Sequence, residues 1–370
     1  MEKDILDRNP LEGTFELTAR CNLRCRMCLI RIDEKRMEEL GGRERTTEEW
    51  IHMAREIFDA GTVTLLLTGG EPMLRPDFPK IYEAVAKMGF IVTLYTNATL
   101  VTPKIMEVLR KYPPHSIGIT VYGASAETYR KVCGNPQAYY RMLEGVEQLR
   151  QLPSRINLRT TIIRDNLHDL DEMTKWAAGF GEKVKFNVSR IVTKPVRGGI
   201  SHVESCRLTP EQSVEMLKGR TNELILKNLK ELLKDRPDMT SNGKAQEEKK
   251  KETSMNPSLY GCKAGMTQYT ITWDGKLTGC QLLGDCWTYP FKEGFQKSWD
   301  TFPEQVNIPP LSEKCAKCTR SCTACPATRL SETGSLSGLP EYLCKEVNLM
   351  YEAEEKLVRE VRQILNMKGR

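Results

Sequence analysis

The chain has 370 residues, of which 39% are hydrophobic and 28% charged, with a formal net charge of +6. That length admits two compact units or one barrel with an extension, and the balance is that of an ordinary globular protein rather than a disordered or fibrous one. No apolar run is long enough to cross a bilayer, the start Met-Glu-Lys-Asp-Ile-Leu-Asp-Arg has no apolar signal region, and Lys and Arg are interleaved with acids except around Lys244 to Lys251. Membrane insertion, secretion and a nucleic-acid-binding stripe are therefore not expected, and a cytoplasmic location is.

From residue 12 to about 192, β-like runs alternate with helical patterns. Gly13 to Leu17, Val63 to Leu67, Phe90 to Tyr95, Ile117 to Val121, Ile156 to Ile163 and Val184 to Val192 read as strands. Thr46 and Glu49 form the spacing of a capping box. Behind it Trp50, Met53, Ala54, Ile57 and Phe58 fall on one helical face. Helical patterns also occupy Phe78 to Met88, Pro103 to Lys111, Gln137 to Leu152 and Leu167 to Ala178. Alternation of this kind demands a parallel sheet with right-handed crossovers, so the expected class is α/β, a partial (βα)6 TIM-like barrel over residues 1–195. Ligands of such barrels sit where the βα loops gather, at the C-terminal ends of the strands.

Residues 196–260 change character. Thr209 opens a helical stretch through Leu233, and Arg236 to Pro257 is too polar to bury a core, which reads as a mobile charged linker. A cysteine-rich segment follows over 261–350, and Leu357, Val361 and Leu365 mark a C-terminal helix within 351–370. Thirteen cysteines in a cytosolic chain argue for metal rather than disulfides. The four histidines, His52, His115, His168 and His202, read as structural or solvated groups.

Cys21, Cys25 and Cys28 stand at spacings of x3 and x2 in the loop after the first strand. Three thiolates leave one iron of a 4Fe-4S cube open, whereas structural zinc and electron-carrier clusters use four protein ligands. Thr68-Gly69-Gly70-Glu71-Pro72 follows the second strand, Thr96-Asn97 the third and Tyr122-Gly123 the fourth. CxxxCxxC with a downstream GGEP resembles the radical S-adenosylmethionine (radical SAM) superfamily. The resemblance implies a cluster whose open iron chelates SAM, and reductive SAM cleavage to a 5'-deoxyadenosyl radical that abstracts hydrogen from substrate. It implies that Gly69, Gly70 and Glu71 hold the methionyl amino group, with Pro72 fixing the turn. Thr96, Asn97 and Thr120 match positions that contact the methionyl or ribose part, and Met27 stands where a backbone contact is usual. Cys133-Gly134 occupies a place where relatives show Arg-Gly or Thr-Gly. Another cation must then anchor the SAM carboxylate, and Arg159 is the candidate, its alternative being a salt-bridged barrel residue.

Cys262, Cys280, Cys286, Cys315, Cys318, Cys322, Cys325 and Cys344 are enough for two further clusters. Their order resembles the SPASM extension of radical SAM enzymes, although the knot Cys315-x2-Cys318-x3-Cys322-x2-Cys325 departs from the usual spacing. By analogy Cys262, Cys280 and Cys325, with Cys286 as a possible fourth ligand, hold one auxiliary 4Fe-4S cluster, and Cys315, Cys318, Cys322 and Cys344 the other. A single zinc on the four knot cysteines is the competing reading. Cys133 and Cys206 fit neither set and read as buried small hydrophobes.

Auxiliary clusters favour net oxidation or bond formation, so the resemblance implies a peptide maturase that forms thioether or carbon-carbon crosslinks. Oxidation of a small alcohol or amino sugar, or formylglycine formation, is the alternative. Against formylglycine, Gln281 follows Cys280 where those maturases carry an acid. A non-catalytic metal-binding or assembly protein is the alternative of another class. An electron donor such as flavodoxin or ferredoxin is implied. Only 20 residues precede Cys21, so a leader peptide would be recognised by a separate protein or by the barrel mouth. Asp274, Arg190 and Tyr122 are the candidate catalytic residues, Asp274 being equally the turn residue of Asp-Gly.

Overall fold

The computed structural model describes residues 8–181, 183–190, 192–217, 259–284, 286–320, 322 and 325–368. The charged segment 236–257, and the expected helix beyond residue 217, lie outside these residues; 210–217 is helical, and Thr209 caps it through Gln212 N, 3.2 Å.

The six expected strands are all present, their bounds displaced by at most three residues. They are β1 (Glu12–Glu16), β2 (Thr64–Thr68), β3 (Ile91–Thr96), β4 (Ser116–Thr120), β5 (Arg155–Thr161) and β6 (Val184–Ser189). Each pairs in parallel with the next. Between them lie α1 (Glu34–Glu39), α2 (Thr47–Asp59), α3 (Phe78–Lys87), α4 (Pro103–Lys111), α5 (Ala126–Cys133), α6 (Gln137–Leu149) and α7 (Leu170–Ala178). The capping box of α2 is formed, and Trp50, Met53, Ala54 and Ile57 are buried. Phe58, expected on the same face, is 46% exposed and meets Phe90 edge-on at 5.5 Å. Helices α1 and α5 were not among the expected elements; at the start of α5 Ser125 accepts from Thr128 N at 3.1 Å.

Two further strands extend this sheet. β7 (Gln268–Ile271) runs parallel to β1, Glu12 opposite Gln268, and β8 (Leu277–Thr278) returns antiparallel to β7. The order is β6-β5-β4-β3-β2-β1-β7-β8, with β6 and β8 at the edges. Alternation along the strands sorts the two faces. Leu65, Leu67, Val92, Leu94, Ile117, Ile119, Ile156 and Leu158 are buried on the face that the helices cover. The other face is polar, carrying Glu16, Thr68, Thr93, Tyr95, Thr120, Asn157, Arg159, Lys185 and Asn187 at matched register positions. A parallel sheet with one polar face is the wall of a ligand-holding barrel rather than of a packed core.

Contacts divide the chain into two compact units. One comprises residues 1–207, 257–310 and 325–338; the other comprises 208–256, 311–324 and 339–370. The second holds the helix Glu341–Lys368, which starts ten residues before the expected one and so includes Cys344. Its own ties include Lys345 Nζ to Glu211 Oε1, 2.6 Å, and Tyr342 OH to Leu208 O, 2.9 Å. Among the described residues no helix is long and apolar enough to cross a membrane.

Candidate functional site

The loop after β1 carries Cys21, Cys25 and Cys28, and its course is fixed from two sides. On the first, Leu17 N bonds to Thr68 O (2.9 Å), Gly70 N to Thr18 O (2.7 Å) and Glu71 N to Arg20 O (2.9 Å), prolonging the β1–β2 pairing past the strand ends. A Cβ on Gly70 would stand 2.2 Å from Arg20 O, and one on Gly69 2.4 Å from Thr18 O. The two glycines are thus required by the approach of one loop backbone to another. On the second side, Arg24 N donates to Cys133 O and Arg26 N to Val132 O, both at 3.0 Å. Cys25 is therefore held between two anchors against the end of α5.

Glu71 is fully buried. Its Oε1 accepts from Thr96 Oγ1 (2.9 Å) and Met73 N (3.1 Å), and its Oε2 from Asn97 N (2.8 Å). Burial outweighs these bonds and pushes its pKa up to about 7. Asn97 extends the network: its Nδ2 donates to Asn22 Oδ1 at 2.9 Å and lies 3.8 Å from Cys21 Sγ. Its Oδ1 accepts from Thr99 Oγ1 at 2.6 Å, and Thr99 Oγ1 accepts in turn from Asn22 Nδ2 at 2.8 Å. Between them Ala98 has φ +58, the one non-glycine residue with positive φ among those described. Such a conformation persists only where its surroundings enforce it. Arg75, just past the Gly-Gly-Glu-Pro string and almost fully buried, donates to Leu17 O (2.9 Å) and pairs with Asp77 (2.7 Å).

The electrostatics suit a cationic occupant. Burial, and then the nearby Glu71 carboxylate, push the Cys21 thiol up to about 12; burial also raises Cys28. Contact with Cys133, followed by burial, raises Cys25. Three thiols and a carboxylate crowded together are costly to ionise unless positive charge joins them. Iron and the ammonium and sulfonium of SAM are such charges, so the donor set fits both groups. Among the described residues, no three His, Cys, Asp or Glu side chains stand at metal-binding spacing.

Other expected site residues fall into two groups. Met27 is buried in the cysteine loop, and Thr120, at the end of β4, faces Arg159 on β5 across the register. Arg159 is exposed on the polar face with its guanidinium 4.5 Å from the Tyr95 ring centre, and it makes no ion pair among the described residues. Burial, and then the three cysteines near it, raise the pKa of the Tyr122 hydroxyl. Arg190 is half-buried just after β6, away from any role the geometry assigns. Asp274 lies in the β7–β8 turn, where Oδ1 accepts from Thr272 Oγ1 (2.5 Å) and Oδ2 pairs with Lys276 (2.8 Å). Both oxygens are engaged in the turn.

One buried ion pair had no signal in the sequence. Arg197, beyond β6, meets Glu16 on β1 through Nη1–Oε2 (2.7 Å) and Nη2–Oε1 (2.6 Å), and its Nε donates to Gln281 O (3.1 Å). Burial alone would lower the Arg197 pKa, but the Glu16 carboxylate outweighs it. The Gln281 amide also reaches Glu16, at 3.4 Å, so a carboxylate from β1 lies beside the position where the sequence shows none.

The C-terminal cysteines divide between the two units. Cys262, Cys280, Cys286 and Cys325 belong to the first, and Cys315, Cys318, Cys322 and Cys344 to the second. Burial, with Cys325 and Cys262 close enough to add to it, raises the Cys280 thiol. Cys286 is buried and gives its thiol to Gln305 O at 3.0 Å. Cys262, Cys318, Cys322 and Cys325 are exposed.

Residues 15–177 match the Radical SAM superfamily. This segment is a radical SAM domain. Over 167 residues the chain is 35% identical to an AdoMet-dependent heme synthase of Methanosarcina barkeri, covering 45% of this chain and 47% of that protein. Over 224 residues it is 25% identical to a PqqA peptide cyclase of Bradyrhizobium diazoefficiens, covering 57% of this chain and 56% of that one. The chain spans about half the length of these curated relatives. A crystal structure of Streptococcus suis SuiB bound to the precursor peptide SuiA superposes with a TM-score of 0.62 at 16% identity, over 91% of this chain and 76% of that one. At that identity the likeness shows the fold, which therefore extends beyond the radical SAM domain into the C-terminal region. The radical SAM superfamily binds SAM and a 4Fe-4S cluster.

Proposed function

We propose that the protein is a radical SAM enzyme that modifies a ribosomally made peptide by crosslinking or oxidation. The observation that carries this reading is the three-thiol loop, locked on one side to Gly69–Glu71 and on the other to α5. Cys21, Cys25 and Cys28 would hold a 4Fe-4S cluster, and Glu71, backed by Thr96 and Asn97, the SAM ammonium group. SAM bound there supplies a 5'-deoxyadenosyl radical for hydrogen abstraction. The protein's share is positioning: Gly69 and Gly70 bring the second loop onto the first, and Asn22, Asn97 and Thr99 fix the third loop beside them. Arg159, a cation without a carboxylate partner among the described residues, would take the SAM carboxylate.

The peptide assignment draws on the similarity to a PqqA peptide cyclase and on the precursor-bound structural neighbour. Division of the C-terminal cysteines between units supports two auxiliary 4Fe-4S clusters, one on Cys262, Cys280 and Cys325 and one on Cys315, Cys318, Cys322 and Cys344. A flavodoxin or ferredoxin would supply electrons in the cytoplasm, and a separate protein would present the leader peptide. A second reading, a small carboxylated substrate such as a tetrapyrrole, is favoured by the 35% identity to a heme synthase and by the cations of the polar face, Arg159 and Lys185.

Anaerobic reconstitution tests both levels. About twelve irons per chain, falling to about eight with Cys21, Cys25 and Cys28 replaced by Ala, supports three clusters; about four in the parent refutes the auxiliary pair. Formation of 5'-deoxyadenosine stimulated by short peptides encoded beside the gene, and not by iron coproporphyrin, supports the peptide substrate. The opposite pattern establishes the second reading.

A further inference from the structure

At the end of the barrel opposite the cysteine loop, a cavity of about 870 Å3 lies against the starts of β4, β5 and β6. A cavity of that size takes a small ligand or a few residues of a peptide. Among the described residues the charged side chains that line it are all cations, Arg150, Arg155, Lys183 and Lys185, with His115 beside them, and all five are exposed. Glu147 pairs with Arg150, but the side chains of Arg155, Lys183 and Lys185 have no ion-pair partner among the described residues. Like charges gathered without counter-ions repel one another, a cost that an anionic ligand removes. Parallel pairing sets two of these cations on successive rows. Arg155 stands opposite Ser116, and two residues further on Asn157 stands opposite Gly118 on one side and Lys185 on the other. Residues two apart on a strand share a face, so Arg155 and Lys185 both belong to the polar one. At about 3.3 Å per residue their rows are roughly 7 Å apart, which is also the spacing of alternate side chains along an extended peptide. Asn157 Nδ2 donates to Ser116 Oγ (2.7 Å) and ties the two rows together. One row higher, Arg159 is held at the Tyr95 ring, apart from the lower pair.

We propose that Arg155 and Lys185 bind two carboxylates of the substrate peptide, Asp or Glu side chains at alternate positions of an extended segment, and so select which precursor enters the barrel. This rests on the reading of the chain as a peptide-modifying enzyme and names the substrate feature that it recognises. A single phosphate is a poorer match, because one compact anion does not span two rows roughly 7 Å apart. From the Lys185 row, opposite Asn157, to Thr161 at the end of β5 is four residues, about 13 Å. An extended peptide covers that distance in about four residues as well. The residue to be modified therefore stands about four positions from the nearer acid, on the side toward the cysteine loop.

The test is calorimetric titration of the reconstituted holoenzyme, at low ionic strength, with an acetylated and amidated Ala-Glu-Ala-Glu-Ala-Ala peptide and with its counterpart carrying Gln for both Glu. The Glu peptide should bind about tenfold more tightly, about threefold for each exposed ion pair, and Arg155→Gln/Lys185→Gln should remove the difference. Setting the two Glu side by side, where their side chains point to opposite faces, should lose about threefold. Lys87→Gln/Lys111→Gln takes the same charge from the ends of α3 and α4 and should leave the difference intact. Equal binding of the Glu and Gln peptides to the parent, or equal losses in the two double variants, overturns the proposal. Because binding is read without turnover, this inference and the reading beneath it fail separately. Precursor-stimulated 5'-deoxyadenosine formation with the same KM in the parent and in Arg155→Gln/Lys185→Gln removes the docking role alone. Turnover with iron coproporphyrin and with no peptide removes the peptide substrate, and this assignment with it.

Discussion

Cys25 sits in a loop whose backbone is bonded on both flanks and is nearly closed to solvent, whereas Cys262, Cys318, Cys322 and Cys325 lie exposed. In the first region the protein's own hydrogen bonds set where the sulfurs are. Around Cys315 and Cys318, Cys318 N donates to Cys315 O (3.2 Å) and Cys315 N to Ser312 Oγ (3.4 Å), and the single turn they shape, Glu313–Ala316, buries none of its residues. The contrast separates a site prepared by the fold from one whose order must come from what binds it, since metal binding free energy is then folding free energy.

Thiol reactivity is the sharpest way to break this contrast. In the chelated, reduced chain, alkylation followed by mass spectrometry should label Cys262, Cys318, Cys322 and Cys325 on the order of a hundredfold faster than Cys25 and Cys28. Equal rates would mean that the first loop opens as freely as the second region. Backbone substitutions give the next largest effect. Gly70→Ala, with its new Cβ driven against Arg20 O, should lose about 2 kcal/mol in denaturant titration along with SAM binding. Gly261→Ala, beside Cys262 at φ +74 but facing open space, should cost about 1 kcal/mol and leave SAM binding intact. The smallest effect concerns protons. Glu71, with its pKa raised to about 7, is ionised above that pH and neutral below it, so its attraction for the SAM ammonium fades as pH falls. SAM affinity measured by calorimetry should drop about tenfold from pH 8 to 6, and Glu71→Gln should flatten that dependence.

What the sequence made legible was local. Thr46 and Glu49, three residues apart, announced a helix start that the structure forms, and the alternation of runs from Gly13 to Val192 placed six strands within three residues of their observed bounds. The cysteine loop and the Gly-Gly-Glu-Pro string were legible for the same reason. Contacts between loops far apart in sequence were not. Asn22 with Thr99, Arg24 and Arg26 with the end of α5, and Glu16 with Arg197 carry no mark in composition or period; each exists only through the tertiary structure. Strand β7 was missed on the same ground. Its Gln-Tyr-Thr-Ile string is short, lies among cysteines, and gains its partner only through tertiary structure.

That partner has a consequence for how the protein is made. β1 leaves the ribosome long before β7, yet one of its two edges waits for residues 268–271. Until they are synthesised, Glu12 to Phe15 present unpaired N–H and C=O groups, a template for pairing with another nascent chain. Translation pauses or truncations before residue 268 should thus yield aggregating fragments even though all six barrel strands are present, and final closure of the sheet belongs to the last stage of folding.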